Sequence, residues 1–179
     1  MPLDPLVPVP YPALTWPVRF APHEAPVFVH NHRLINAPQA VVWAWLVRAR
    51  GWPTWYPNSS RVTLYWEGAP YPGSVLRTGM LFRWCTFRLR IRSRVHVLDQ
   101  QAGMLAWDGT GLGARVYHAW CLVPQADGST LVVTEETQWG LGARLVHYLC
   151  PRRMWDGHAL WLERLAAQAQ QGMPPDAER

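Results

Sequence analysis

The sequence predicts an α+β domain in which an antiparallel sheet is backed by a long C-terminal helix. Three observations carry this. From Thr86 to Asp99, Arg88, Arg90, Arg92 and Arg94 alternate with Phe87, Leu89, Ile91, Ser93, Val95 and Val97, the period of a strand with one wet and one dry face. "MLAWDGTG", "ARVYHAWCLVP" and "STLVVTEETQWG" follow as strands joined by short links with turn signals such as Asp127-Gly128, so neighbours should pair antiparallel. After Gly140 the apolar spacing becomes helical: Leu145, Tyr148 and Leu149, then Met154, His158, Trp161, Leu162 and Leu165. A long terminal helix is the natural cover for the dry face of the strand.

Prolines recur from Met1 to Pro26, favouring an extended arm over helix or inner strand. The arm (residues 1–26) is expected to lie outside the core, and removing Met1 to Ala21 to leave the thermal midpoint nearly unchanged. "VFVHNHRLI" (27–35) reads as a strand. "NAPQAVVWAWLVRAR" reads as a helix with a capping box of Asn36 and Gln39, placing Val42, Trp45, Leu46 and Ala49 on one face. Gly51 and Pro53 end it, and "TWYPNSS" leads to the strand "RVTLYWEG". "GMLFRWCTFRLRIRSRVHVLD" continues the sheet, and Pro151 should kink the final helix or start its second segment. The domain is expected over 27–171, with a polar tail at 172–179.

The 179 residues, 49% of them hydrophobic, suffice for one domain with a sizeable core. The net charge of +5 comes from arginine with no lysine, and no aromatic shares the arginine face for base stacking, so no nucleic-acid partner is expected. The twelve tryptophans suit an aromatic-lined cavity or broad core packing. Cys85, Cys121 and Cys150 are widely spaced without a CxxC pair, so they should be reduced and buried, with neither disulfide nor zinc. The N-terminal stretch has neither a basic leader nor an unbroken apolar run, so stable membrane insertion is not expected and the cytoplasm is the default location. Oligomeric state is left open.

"INAPQAVVWAWLVRARGWPTWYPNSSRV", "LAWDGTGLGARVYHAWCLVPQADGSTLVVTEETQWG" and "HALWLERLAAQA" together resemble the START-like (SRPBCC) superfamily, in particular its polyketide cyclase/dehydrase-like branch. The resemblance covers about Val27 to Gln170. It implies a helix-grip fold: a curved antiparallel sheet wrapped around a long C-terminal helix, two short helical segments after the first strand, and a deep cavity between sheet and helix. It also implies a small hydrophobic partner (lipid, polyketide or aromatic compound) and no cofactor. A cyclase/dehydratase using Glu135 and His118 as acid and base, and a chaperone-cofactor-like protein-binding module, are the alternatives; fold alone does not choose among them.

The cavity is expected to measure roughly 300 to 1,000 Å³. Phe87, Leu89, Ile91, Trp107, Trp120, Met154, His158 and Trp161 are its expected wall, with Trp84 added if a bulge takes it off the arginine parity. Glu135 shares parity with Leu131, Val133 and Trp139, which points it inward, and with His118 in "YHAWCL" it is the polar group expected to orient a ligand. Glu136, on the other parity, should pair with an outward arginine. Each group has an ordinary structural use beside the functional one: a paired sheet carboxylate and a satisfied core histidine. His30 and His32 with Glu135 could mimic a two-histidine, one-carboxylate metal set, but nothing fixes the third ligand and no metal is assigned. "GTGLGAR" reads as a glycine-rich turn, and in the later "GLGAR" Arg144 could bind an anion weakly.

Overall fold

The structure is a computed structural model describing residues 14–175. Eight strands form one sheet: β1 (Val27–Ile35), β2 (Ser59–Trp66), β3 (Ala69–Tyr71), β4 (Leu81–Thr86), β5 (Leu89–Asp99), β6 (Met104–Gly111), β7 (Ala114–Pro124) and β8 (Thr130–Trp139). Their order is β1-β8-β7-β6-β5-β4-β2-β3, every neighbouring pair antiparallel. Two short helices, α1 (Gln39–Leu46) and α2 (Trp52–Trp55), follow β1, and α3 (Leu141–Leu149) and α4 (Arg153–Ala169) follow β8. This is the α+β helix-grip arrangement. Trp161, Leu162, Leu165, Ala166 and Ala169 recur along one face of α4 and are buried with Phe82, Trp84, Val95, Trp107 and Trp120 of the sheet's inner face and with Trp52 of α2.

The predicted long strand is two strands. Phe87 and Arg88 both have positive φ (50° and 67°), making a two-residue hairpin between β4 and β5. Neither residue favours that conformation, so the sequence carries no turn signal there. Tertiary contacts offset the strain: Phe87 packs against Gly157 of α4, where any side chain would collide with its ring, and the Arg153 guanidinium lies 5.3 Å from the ring centroid while donating to Phe87 O at 2.9 Å. The hairpin, rather than a bulge, brings Trp84 inside. A register shift between Val95 and Val97 then turns Val97 to the outer face, so the dry face of β5 ends at Val95.

The outer face of β6–β8 is covered as well. Phe20, 5% exposed, stacks on Tyr117 (5.3 Å) and meets Trp139 edge-on, with Trp16 tilted over Tyr117; Leu14 packs near Cys121, Leu131 and Val133. The proline-rich segment is therefore docked from Leu14 onward, its 3-10 turns at Val18–Phe20 and Pro22–Glu24 holding Phe20 down, which corrects the expectation of a dispensable arm. Removing residues 1–21, or Phe20→Ala alone, should lower stability by about 2–4 kcal/mol, read from urea denaturation. An unchanged midpoint would mean the contact is not maintained in solution.

Gln39 closes no capping box; its amide donates to Leu122 O (3.1 Å), and Pro38 caps α1 without a side-chain bond. The cysteines are free, but only Cys121 is buried; Cys85 is half-buried and Cys150 exposed.

Candidate ligand cavity

A cavity opens between the inner face of β4–β8, the start of α4 and the inner side of α3. Its inner end is buried: Trp84, Ser93, Trp107, His118, Glu136, Gln138, His158 and Trp161. Its rim is half-exposed or exposed: Phe87, Leu89, Leu112, Val146 and Met154. The volume is about 80 Å³, well below the expected range. Tryptophan is the cause: Trp52, Trp84, Trp107 and Trp161 pack with centroids 5.2–6.3 Å apart, filling the deep part of the grip. What remains lies between that cluster and α3.

The polar floor is one cluster. His118 (β7) stands opposite Glu136 (β8), and cross-strand partners share a face. His118 Nδ1 lies 3.1 Å from Glu136 Oε2, and His158 Nε2 of α4 reaches the same oxygen at 3.6 Å. Gln138 Nε2 donates to Glu136 Oε1 at 2.5 Å. A carboxylate only accepts, so His118 donates from Nδ1, and its Nε2 accepts from the Thr134 hydroxyl (2.7 Å). The two imidazoles are near-parallel, centroids 4.7 Å apart.

Electrostatics separate the members. Burial first, then the neighbouring His158, pushes His118 down to about 3, so it is neutral at pH 7. Burial acts to raise Glu136, but the His158 contact, both imidazoles and the Gln138 amide outweigh it and hold the carboxyl below its ordinary range. Burial also pushes the phenol of Tyr56 up; its hydroxyl donates to Gly157 O at 3.3 Å. One ligand atom from each of His118, Glu136 and His158 lies within 4.8 Å of the others, so among the described residues this is the group that could hold a metal ion.

The profile of a family described as "Polyketide cyclase / dehydrase and lipid transport" matches residues 27–169, four-fifths of the chain. The chain belongs to this family. No curated protein matches it in sequence. Among solved structures, the hypothetical protein jhp0584 from Helicobacter pylori is 25% identical, with TM-score 0.81, over 90% of this chain and 98% of that one. The ZhuI aromatase/cyclase from Streptomyces sp. R1128 is 14% identical, with TM-score 0.69, over 84% and 98%. A START superfamily protein from Mycobacterium smegmatis is 14% identical, with TM-score 0.59, over 80% and 97%. The last two share the fold of this polyketide cyclase-like domain.

Within the domain, Trp84, Phe87, Leu89, Ile91, Trp107, His118, Met154, His158 and Trp161 all line the cavity. Trp120 does not; it lies beneath the floor, stacked on His118 (5.1 Å) and edge-on to Trp161. Glu135 does not either. It faces outward, where its Oε1 accepts from His30 Nδ1 at 2.9 Å, and His32 Nδ1 lies 3.2 Å from His30 Nε2. The parity of β8 is thus reversed from the expected one: the more apolar row, Leu131, Val133 and Trp139, packs under Leu14, Trp16 and Phe20, and the more polar row faces the cavity. Gln138, Tyr56 and the small residues of α3, Gly142 and Ala143, are lining residues the sequence did not single out.

Proposed function

We propose that the protein binds a small apolar molecule carrying a hydroxyl or carbonyl group, polar end inward against the His118–Glu136–His158 cluster and apolar body against Trp84, Leu89, Ile91 and Met154. The observation that carries this is a buried carboxylate–imidazole cluster, in which His158 Nδ1 has no hydrogen-bond partner, closing an otherwise apolar cavity that opens through an apolar rim. A volume of 80 Å³ holds one small group, so a larger ligand extends through the rim of Phe87, Leu112 and Val146 or parts it. Family membership supports lipid or polyketide-like chemistry.

A cyclase/dehydratase using the same cluster is the second reading, favoured by the imidazole–carboxylate contact itself. Binding is preferred because general acids and bases work best with a pKa near the working pH, whereas His118 and Glu136 are both driven well below it. Titration of matched probes, naphthalene and 1-naphthol, tests the reading. The wild type should favour naphthol by about tenfold or more, and Glu136→Gln should erase most of that preference while leaving naphthalene unchanged, as loss of a charge-assisted hydrogen bond requires. Equal affinity of the wild type for both probes would overturn the polar-floor assignment; turnover of a β-hydroxyketone lost in Glu136→Gln would favour the enzyme.

A further inference from the structure

The pentapeptide Gly-Leu-Gly-Ala-Arg occurs twice, at residues 111–115 and 140–144, and the two copies pack against each other. The first makes the β6–β7 turn, the second the start of α3. Gly142 N donates to Gly113 O (3.4 Å), and a side chain at Gly142 would collide with Leu112 O. The glycines therefore serve close approach of two backbones rather than an anion. Ala114 and Ala143 both face the cavity, while the leucine of each copy faces solvent with an exposed arginine three residues on, Arg115 and Arg144.

This pair begins a larger apolar surface. Leu112 is 63% exposed, Leu141 84%, Leu145 58%, Tyr148 83% and Leu149 65%, and Trp155 at the start of α4 is exposed too. Five such residues on one nine-residue helix and the turn packed on it exceed the scattered apolar exposure usual for a soluble surface. No acidic residue occurs in either segment; Arg115, Arg144, His147 and Arg152 stand among the apolar groups, and the flanking acids are each paired, Asp108 with Arg19, Glu136 with His118 and Asp156 with Arg152.

We propose that this surface docks on an anionic phospholipid bilayer, with α3 lying in the interface and the cavity rim facing the lipid. Apolar side chains ringed by arginine, with aromatic residues at the margin, are the chemistry of an interfacial helix. A second copy of the chain fits worse, because a two-fold contact would bring Arg115, Arg144 and Arg152 of both copies together. The N-terminal segment fits worse too, since from Phe20, near Trp139, it runs toward Leu14, near Cys121 and Leu131, away from α3. The docking is peripheral: among the described residues no helix is long and apolar enough to cross a membrane. It does not depend on the polar-floor reading, since none of the docking side chains belongs to the floor.

Vesicle flotation with the full chain tests this, comparing phosphatidylcholine alone with an equal mixture of phosphatidylcholine and phosphatidylglycerol. Binding is expected to the mixed vesicles, to weaken as salt rises, to fall at least tenfold in Leu141→Glu/Leu145→Glu, and to fall about fivefold in Arg144→Gln, the equivalent of about 1 kcal/mol for one basic residue at an anionic surface. The side chains replaced are exposed, so thermal midpoints should be preserved and a lost interaction is not lost folding. Absence of binding to mixed vesicles, binding unchanged in the double variant, or a wild-type dimer that the double variant splits would each overturn the proposal, the last by giving the surface to a second copy.

Discussion

Glu136→Ala should lower the free energy of unfolding by about 3–5 kcal/mol, the cost of removing one partner from a buried, hydrogen-bonded charged cluster. His118 Nδ1, His158 Nε2 and the Gln138 amide converge on the two oxygens of this side chain, and alanine leaves all three without an acceptor in a place water cannot freely reach. Urea denaturation of Glu136→Ala beside Glu135→Ala makes the test internal. Glu135 contacts His30 at the outer face, away from the cluster, and its removal should cost less, about 1–2 kcal/mol. An equal or larger loss at Glu135 would put the wrong carboxylate in the cavity. Glu136→Gln, which keeps shape and one acceptor, should fall between wild type and alanine.

The reversal of these two glutamates shows what the sequence could and could not supply. Alternation tells which residues share a face, but the inside was assigned to the more apolar row, and that rule fails when both faces of a strand are covered. Every residue of β8 up to Gln138 is buried, because the N-terminal segment roofs the outer face. A clue lay only in the length of the β7–β8 link: it is centred on Asp127, which sets His118 opposite Glu136, whereas a two-residue turn at Asp127-Gly128 would set His118 opposite Thr137 and turn Glu135 inward. The Phe87–Arg88 hairpin lacked even that clue, since its positive φ values are imposed by Gly157 and Arg153 from a helix some 65–70 residues on (Arg153 and Phe87 are 66 apart). By contrast β1, the helical change after Gly140 and the break near Pro151 follow from local spacing and proline geometry and were legible directly. Cavity size was not legible, because composition counts tryptophans without saying whether they line a space or fill it.

The second large effect is acid destabilisation, and its sign follows from the same cluster. His118 is neutral in the folded protein down to about pH 3, whereas in the unfolded chain it takes up a proton near 6.5. Between those values the unfolded state binds more protons, so stability is complete above about pH 6.5 and falls as the pH drops toward 3. Glu136 adds to the fall at its lower end: its folded carboxyl lies below the ordinary range, so its contribution is present above 4.5 and is lost as pH falls through the folded value. Together they should remove several kcal/mol between pH 7 and pH 3.5, on the order of 1.4 kcal/mol per pH unit for each group within its own window. The upper window isolates the histidine, because Glu136 does not titrate in either state between pH 6.5 and 5. Urea midpoints across that range should decline in the wild type and decline less in His118→Gln, whose amide can still donate to Glu136 without gaining a charge. The histidines outside the cluster keep the same surroundings in both proteins, so the difference in slope reads the cluster. Parallel slopes would mean that His118 is protonated in the folded state, with Glu136 as its ion-pair partner rather than the acceptor of a neutral imidazole.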